Sequence, residues 1–166
     1  MNRSRVLEAH FIFQFQNRLT VRMEEENVHI LLVEDNEGDI LLMKEALEDT
    51  SISAKISVVR DGEKAVRFLE EESELIEIKN PDLIILDINI PKKNGFEVLK
   101  NIKSNQNYSH IPVIMFSTSS SHQDIVTCYK NHANCYITKP DDADSFFEAV
   151  QLIIEFWMKL SELPTA

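Results

Sequence analysis

The sequence predicts an α/β fold with a doubly wound parallel sheet, in which five strands alternate with five helices. Short apolar runs recur along the 166-residue chain, and each is followed by turn residues and an amphipathic segment. Such alternation is typical of parallel strands with helices on both faces of the sheet. The run Leu83–Leu86 contains no polar residue. We therefore expect it to be a central strand that is buried on both faces.

The N-terminal half contains two predicted strand–helix units. Residues 28–33 and 56–59 are mostly apolar segments of strand length, with His29 and Ser57 as their polar residues. Asn36 can cap the helix after the first run, and apolar residues at helical spacing carry that helix to about residue 48. The second run is followed by an amphipathic segment around Leu69. We interpret the charged segment 70–80 as a solvated helix end and a loop.

The C-terminal half contains three more units. Pro91 and Gly95 end the third strand and form a loop, which we expect to be followed by a helix over residues 96–103. The last two strands are predicted at residues 113–116 and 135–138. Their helices are predicted at residues 124–131 and from one of the aspartates at 141–144 through Leu160, because apolar residues recur there at helical spacing.

Length and composition indicate one folded domain with an addition at each end. We assign residues 27–160 to the domain, residues 1–26 to an N-terminal extension and residues 161–166 to a tail. Residues 1–22 contain four arginines and one glutamate, whereas the rest of the chain is strongly acidic. We expect the extension to be disordered or loosely docked, with Met23 as a possible start of the protein.

The composition also argues against several classes of function. A net charge of −11 at pH 7 argues against nucleic-acid binding. No apolar run approaches the roughly 18 residues of a membrane span. Cys128 and Cys135 match no zinc-site spacing, so we interpret both as small buried apolar residues. With no signal peptide in the sequence, these observations indicate a cytoplasmic protein.

Chemically active side chains follow four of the predicted strands, namely Glu34 with Asp35, Asp87, Ser117 and Lys139. In a sheet of order 2-1-3-4-5 the first and third strands are neighbours, so their three carboxylates converge on one pocket. Such carboxylates require a cation, and Mg²⁺ is the usual choice where phosphate chemistry follows. The lysine and the serine suit a phosphoryl group bound to Asp87, since an ammonium group and a hydroxyl can both contact its oxygens.

These residues, in this order, resemble the receiver domain of two-component response regulators over about residues 28–157. Tyr136 stands at the position of the family's switch aromatic, Lys139 is followed by Pro140, and the segment after Asp87 has the family's proline and glycine. The resemblance implies a flavodoxin-like, three-layer (βα)5 fold. It also implies a phosphoacceptor signalling protein that catalyses, at most, its own phosphotransfer and autodephosphorylation.

Within this family the chain looks closest to stand-alone regulators that are paired with phytochrome-type kinases. The closer match depends on Asp39, on residues 91–95, on residues 134–139 and on the Phe156-Trp157 pair. It implies a sensor histidine kinase of that type as the partner. Because the sequence ends soon after the last helix, we expect no output domain and signalling through protein contacts.

The resemblance further implies roles for individual residues. Asp87 would attack a phosphohistidine, with Mg²⁺ held by Asp35, Asp87 and the main-chain carbonyl of Asn89, and with Glu34 acting through a metal-bound water. Ser117 and Tyr136 would form the switch, and Lys139 would neutralise the phosphoryl group. Two residues depart from the commoner family pattern. Glu34 replaces an aspartate, and Thr118 replaces a small alanine, which would narrow access to the phosphate.

The last helix is more apolar than packing on a sheet requires. At 100° per residue its apolar arc spans about 240°, and an exposed apolar patch usually marks a contact. We therefore predict a two-fold homodimer through this face. The expected inward stripe is Phe146, Ala149, Val150, Ile153, Trp157 and Leu160, and the expected exposed flanks are Phe147, Ile154, Met158, Leu152 and Phe156.

Three alternative functions remain open. An FMN-binding flavodoxin-like electron carrier shares the fold class, but Glu34 and Asp35 would repel a flavin phosphate. A receiver-like interaction module without phosphotransfer would be expected to lack Asp87, Lys139 or the acidic pair, and this chain has all of them. A phosphohydrolase with an aspartyl nucleophile would carry a second aspartate where this chain has Asn89.

Overall fold

The structure is a computed structural model that describes residues 28–50, 52–74 and 80–164. A single five-stranded parallel sheet of order β2-β1-β3-β4-β5 forms its centre, as the sequence predicts. The predicted N-terminal extension lies outside the described residues. The strands are β1 (Val28–Val33), β2 (Ala54–Val59), β3 (Leu83–Leu86), β4 (Val113–Ser117) and β5 (Cys135–Thr138).

Each strand is followed by a helix. In chain order these are α1 (Glu37–Glu48), α2 (Gly62–Glu74), α3 (Gly95–Ser104), α4 (His122–Lys130) and α5 (Ala143–Glu155). The side chain of Asn36 caps α1 by accepting hydrogen bonds from the N–H groups of Gly38 and Asp39. A π-helical turn, Phe156–Leu160, continues from the end of α5. In the described ranges, none of these helices has both the length and the apolar character needed to cross a membrane.

The two apolar layers lie on opposite faces of the sheet, because successive residues of a strand point to opposite sides. Leu31 and Ile84 pack in the layer that contains Leu69 of α2 and Leu99 of α3. Neighbouring strand residues pack in the other layer, which contains apolar residues of α1 and α5, namely Ile40, Met43, Val150 and Ile153. The strand Leu83–Leu86 is buried throughout. The prediction of a central strand buried on both faces is therefore confirmed.

Several element boundaries differ from the sequence-based expectation by a few residues. Strand β2 begins at Ala54, because Val28 at the start of β1 pairs with it, and this pairing is not visible in the local pattern. Helix α2 continues to Glu74, so the first part of the charged segment 70–80 is helical. Cys128 is buried as predicted, whereas Cys135 on the edge strand is only half-buried. Burial raises the pKa of the Cys128 thiol to about 11.

The buried face of the last helix is rotated from the predicted one. Ile154 and Met158, expected on the exposed flank, are 0% and 7% exposed, whereas Leu160, expected inside, is 55% exposed. Helix α5 packs on α1 as well as on the sheet, which brings Ile154 into the core. The π-helical turn also changes the angular spacing after Glu155. Leu152 and Phe156 are exposed as predicted.

Candidate functional site

The predicted carboxylates meet where β1 and β3 end. Val33 of β1 pairs with Leu86 of β3, so the next residues, Glu34 and Asp87, lie side by side at the carboxyl edge of the sheet. The Asp87 N–H donates a hydrogen bond to the Val33 carbonyl at 3.0 Å, and the Glu34 N–H donates one to the Val59 carbonyl at 3.0 Å. Both side chains are buried, with 2% exposure for Glu34 and 6% for Asp87.

Lys139 lies at the centre of this acidic group. It follows β5, and its N–H donates to the Ser117 carbonyl at 2.8 Å. Its Nζ atom lies 2.5 Å from Glu34 Oε2, 2.8 Å from Asp39 Oδ2 and 3.0 Å from Asp87 Oδ2. One ammonium group therefore contacts three carboxylates, two that directly follow β1 and β3 and one from α1.

Asp39 is the member of this cluster whose contact the sequence analysis missed. It lies in the first turn of α1, one turn beyond the capping residue Asn36. An acidic residue there has an ordinary explanation in the helix dipole, so the pattern alone does not indicate a contact with Lys139. The position of that turn above the strand ends places the Asp39 carboxylate within 2.8 Å of the ammonium group.

The carboxylate of Asp87 is held by donors on both oxygens. Its Oδ1 accepts from the N–H of Ile88 at 2.6 Å and from the N–H of Asn89 at 3.3 Å. Its Oδ2 accepts from Lys139. Hydrogen bonds from main-chain N–H groups and from a cation fix the direction of a carboxylate. Asp87 is thus oriented at the mouth of the loop, as the sequence predicts for a reactive aspartate.

The pKa values of Glu34 and Lys139 both lie above their ordinary values, for different reasons. Burial raises the pKa of Glu34, and the hydrogen bond and charge of Lys139 offset this only in part. Burial by itself would lower the pKa of Lys139, but its contacts with Asp39, Glu34 and Asp87 outweigh burial and raise it. Three carboxylates around one ammonium group leave an excess of negative charge in a buried site.

The remaining predicted metal ligands lie at the rim of the site. Asp35 and Asn89 are exposed, whereas Glu34 and Asp87 turn towards Lys139. Within residues 28–50, 52–74 and 80–164, no group of three or more acidic, histidine or cysteine side chains is arranged to hold a metal ion. The donors nevertheless match a hard divalent cation in kind, because carboxylate and carbonyl oxygens are the ligands such cations take.

The two predicted switch residues occupy adjacent strands. Ser117 at the end of β4 is fully buried, and its Oγ has no hydrogen-bond partner in the described part of the chain. Tyr136 on β5 is half-buried against the apolar layer of α2 and α3. Its hydroxyl donates a 2.7 Å hydrogen bond to the Ser119 carbonyl, which ties the ring to the loop between β4 and α4.

The loop after Asp87 is folded tightly back on its own strand. The N–H of Gly95 donates to the Ile88 carbonyl at 2.9 Å. A Cβ atom at Gly95 would lie 2.3 Å from the Asp87 carbonyl oxygen. Only glycine permits this close approach. The glycine that the sequence places eight residues after Asp87 therefore sets the start of α3 against the site.

The sheet is parallel and has the order 2-1-3-4-5, and its carboxyl edge carries an oriented aspartate, an acidic neighbour and a lysine. These features together define a class of signalling domain. A family model described as the response regulator receiver domain matches residues 30–151. The chain belongs to this family.

Comparison with individual proteins gives a more specific similarity. Response regulator Rcp1 of Synechocystis sp. is 41% identical over 137 residues, which are 82% of this chain and 93% of Rcp1. The structure of the phosphorylated cyanobacterial phytochrome response regulator RcpA superimposes with a TM-score of 0.80, at 44% identity, over 84% of this chain and all of RcpA. The Mn²⁺-bound form of Rcp1 superimposes with a TM-score of 0.78, at 40% identity, over 83% of this chain and 99% of that chain.

Proposed function

We propose that this receiver domain accepts a phosphoryl group on Asp87 from a phosphohistidine of a sensor histidine kinase. The observation that carries the proposal is the convergence of Glu34, Asp39 and Asp87 on the Nζ of Lys139. This arrangement places a fixed positive charge beside an oriented nucleophile at the edge of the sheet where ligands bind in open α/β folds.

The transfer is a displacement at phosphorus. A carboxylate oxygen of Asp87 forms the new O–P bond as the N–P bond of the phosphohistidine breaks, and the electron pair of that bond returns to the imidazole. The main-chain N–H groups of Ile88 and Asn89 hold Oδ1. Lys139, which contacts Oδ2, is placed to neutralise the charge that the phosphoryl group brings.

A divalent cation is part of this proposal, with Mg²⁺ as its identity. Asp35, Asp87 and the main-chain carbonyl of Asn89 would hold it, and Glu34 would contact it through water. The donor chemistry and the exposure of Asp35 and Asn89 fit a partly hydrated Mg²⁺. When bound, the cation neutralises oxygens of the transferred phosphoryl group. The existence of a Mn²⁺-bound form of Rcp1 supports the binding of a divalent cation by this chain.

The proposed switch consists of Ser117 and Tyr136. A buried hydroxyl without a partner is poised to donate a hydrogen bond to a phosphoryl oxygen on Asp87, since an unmade hydrogen bond in a buried site is costly. Movement of Ser117 and the loop after it would change the surroundings of the Tyr136 ring, whose hydroxyl is bonded to Ser119. Phosphorylation would thereby bias a two-state element.

The proposed kinase is of the phytochrome type. The support is the similarity to Rcp1 and to RcpA, a cyanobacterial phytochrome response regulator, over more than four fifths of this chain. The chain also contains most of each of those proteins' length, 93% of Rcp1 and 100% of RcpA. Signalling through protein contacts fits this proposal.

We further propose a homodimer through α5 and the π-helical turn. Leu152, Phe156 and Leu160 are 60%, 52% and 55% exposed. A groove of about 470 Å³ runs between the edge strand β5 and α5, and a contiguous apolar surface of this kind usually marks a contact. Residues that line the groove include Cys135, Ile137, Ala149, Leu152, Phe156 and Trp157.

Phosphotransfer from a purified phytochrome kinase tests the proposed function. The wild-type protein should gain the phosphoryl label in the presence of Mg²⁺, and a control that contains EDTA should gain none. Asp87→Asn should keep the fold and gain no stable acyl phosphate, because an amide is not a nucleophile of this kind. Asp82→Asn, which alters another buried aspartate, is the matched control and should still be labelled if it folds. Full labelling of Asp87→Asn would overturn the assignment.

A further inference from the structure

The loop that follows Asp87 contains a backbone conformation that needs support. Lys92 has a φ of 68°, which is uncommon for a residue with a side chain and persists only when its surroundings hold it. Lys92 lies three residues after Asn89, whose main-chain carbonyl is a proposed metal ligand. The conformation of this loop therefore determines where that carbonyl lies.

The start of α2 holds the loop through several contacts. The N–H of Gly62 donates to the Pro91 carbonyl at 3.2 Å. The Nζ of Lys92 lies 3.0 Å from Asp61 Oδ2. A Cβ atom at Gly62 would lie 2.0 Å from the Lys93 carbonyl oxygen, so the two backbones touch where only glycine fits. The loop is thus fixed by a segment that is distant in sequence.

Asp61 is itself rigidly placed. It is 5% exposed, and its Oδ1 accepts from the N–H of Lys64 at 2.8 Å, as an N-cap of α2 does. This N–H and, to a smaller extent, the Lys92 ammonium group lower the pKa of Asp61. The side chain of Lys92 is 48% exposed. The buried aspartate, rather than the half-exposed lysine side chain, therefore defines the geometry of the pair.

We propose that Asp61 is a positioning residue for the phosphoacceptor loop, which holds the left-handed turn at Lys92 and so sets the position of the Asn89 carbonyl for the cation. This inference rests on the proposed function, and it extends that function because Asp61 acts through the loop backbone rather than on the phosphoryl group.

Asp61→Asn tests the inference with little disturbance of the fold. Asparagine retains the oxygen that caps α2, but its NH₂ group cannot accept from Lys92. We expect the Kd for Mg²⁺, measured by titration calorimetry without phosphodonor, to rise about 3- to 10-fold. Lys92→Met, which leaves Asp61 and its cap in place, should weaken Mg²⁺ binding to a similar degree. Unchanged Mg²⁺ affinity in both variants would overturn the inference.

A charge-matched control separates positioning from general electrostatics. Like Asp61→Asn, Glu63→Gln removes one negative charge near Lys92. The Glu63 carboxylate lies 3.8 Å from Lys92 Nζ, but its side chain is 46% exposed. It should change the Kd for Mg²⁺ less than about twofold. If it weakens binding as much as Asp61→Asn does, the effect is one of charge and the inference is wrong.

A rescue variant tests the backbone directly. Glycine adopts positive φ without an anchor, so Lys92→Gly in the Asp61→Asn background should restore the Kd for Mg²⁺ to within about twofold of the wild-type value. Failure of this rescue would contradict the positioning role, provided that the double variant has the melting temperature of the wild type. A wild-type protein that binds no Mg²⁺ and accepts no phosphoryl group would instead overturn the proposed function itself.

Discussion

The Nζ atom of Lys139 lies 2.8 Å from Asp39 Oδ2, which joins the end of β5 to the first turn of α1. The same ammonium group contacts Asp87 at 3.0 Å. The lysine therefore links the proposed nucleophile to a helix that packs on the opposite side from α2 and α3. The side chain of Lys139 is only 3% exposed, so its ammonium group makes these contacts away from bulk solvent.

The first prediction concerns the stability that Lys139 provides. Lys139→Met leaves three carboxylates without their cation, and removal of one partner from a buried ion pair costs about 3–5 kcal/mol. We expect a loss of that order in the free energy of unfolding, measured with urea at pH 7. Millimolar Mg²⁺ should restore part of it, because a divalent cation can replace the lost positive charge.

Lys159→Met is the control for this experiment. Lys159 pairs with Glu155 at 3.0 Å on the surface, and exposed pairs contribute about 0–1 kcal/mol. It should change stability little, with no response to Mg²⁺. Equal losses in the two variants would contradict the assignment of Lys139 as the centre of the site.

The second prediction concerns pH. Because burial raises the pKa of Glu34 above its ordinary value of 4.5, the folded state binds its proton more tightly than the unfolded state does. Its contribution to stability is therefore fully present below pH 4.5 and is lost as pH rises through the folded-state pKa. Glu34→Gln should become progressively more stable relative to the wild type as pH rises from about 4.5, when the two are compared by urea denaturation.

Glu37→Gln is a control with the opposite sign. The hydrogen bond from Arg60 lowers the pKa of Glu37. The stability that Glu37 contributes is then present above its unfolded-state pKa and is lost as pH falls through the folded-state value. The wild type should therefore become more stable relative to Glu37→Gln as pH rises, in the same urea denaturation experiment. The same sign for both variants would show that burial does not dominate the pKa of Glu34.

The third prediction separates phosphorylation from the switch. Ser117→Ala should accept the phosphoryl group, and its stability should be unchanged or slightly higher, because it removes a buried hydroxyl without a partner. The response to phosphorylation should be lost, as measured by hydrogen exchange in the loop of Ser119. Ser119→Ala is the control, since it retains the carbonyl that Tyr136 contacts. A normal response in Ser117→Ala would contradict the switch.

The fourth prediction concerns the dimer. Leu152→Glu or Phe156→Glu should shift the protein towards monomer in sedimentation at micromolar concentration, because each places a charge in the exposed apolar patch. Leu41→Glu is the control, since Leu41 is 56% exposed but does not line the groove between β5 and α5. Ile154→Glu is unsuitable, because Ile154 is in the core. A wild-type monomer with and without a phosphoryl mimic would end this proposal.

The fifth prediction concerns the N-terminal extension. A chain that starts at Met23 should have a free energy of unfolding within about 1 kcal/mol of that of the full chain, which is the range for changes away from core features. In the part of the chain that the structure describes, the five strands and both apolar layers are built from Val28 and later residues. Urea denaturation of the two proteins is the measurement. A larger loss, reproduced by Phe13→Ser in the full chain, would instead show that the extension packs on the domain.

The fold class and most of the contacts at the strand ends can be predicted from the sequence. Unbroken apolar runs such as Leu83–Leu86 indicate buried parallel strands, and parallel strands bring their carboxyl ends to one edge. Residues that follow those runs, including Glu34, Asp87 and Lys139, were therefore predicted to meet, and they do. These inferences succeed because they depend on local periodicity and on a simple rule of topology.

Other contacts depend on how distant elements pack, because the side chains that make them also have a good local explanation. Asp39 suits a helix dipole, yet it bonds Lys139. Asp61 suits an N-cap, yet its second oxygen anchors Lys92 across 31 positions. The buried face of α5 depends on its packing against α1 and on the π-helical turn, so Ile154 is buried and Leu160 is exposed. Periodicity reports that a face is apolar, but the neighbouring elements determine which part of it they cover.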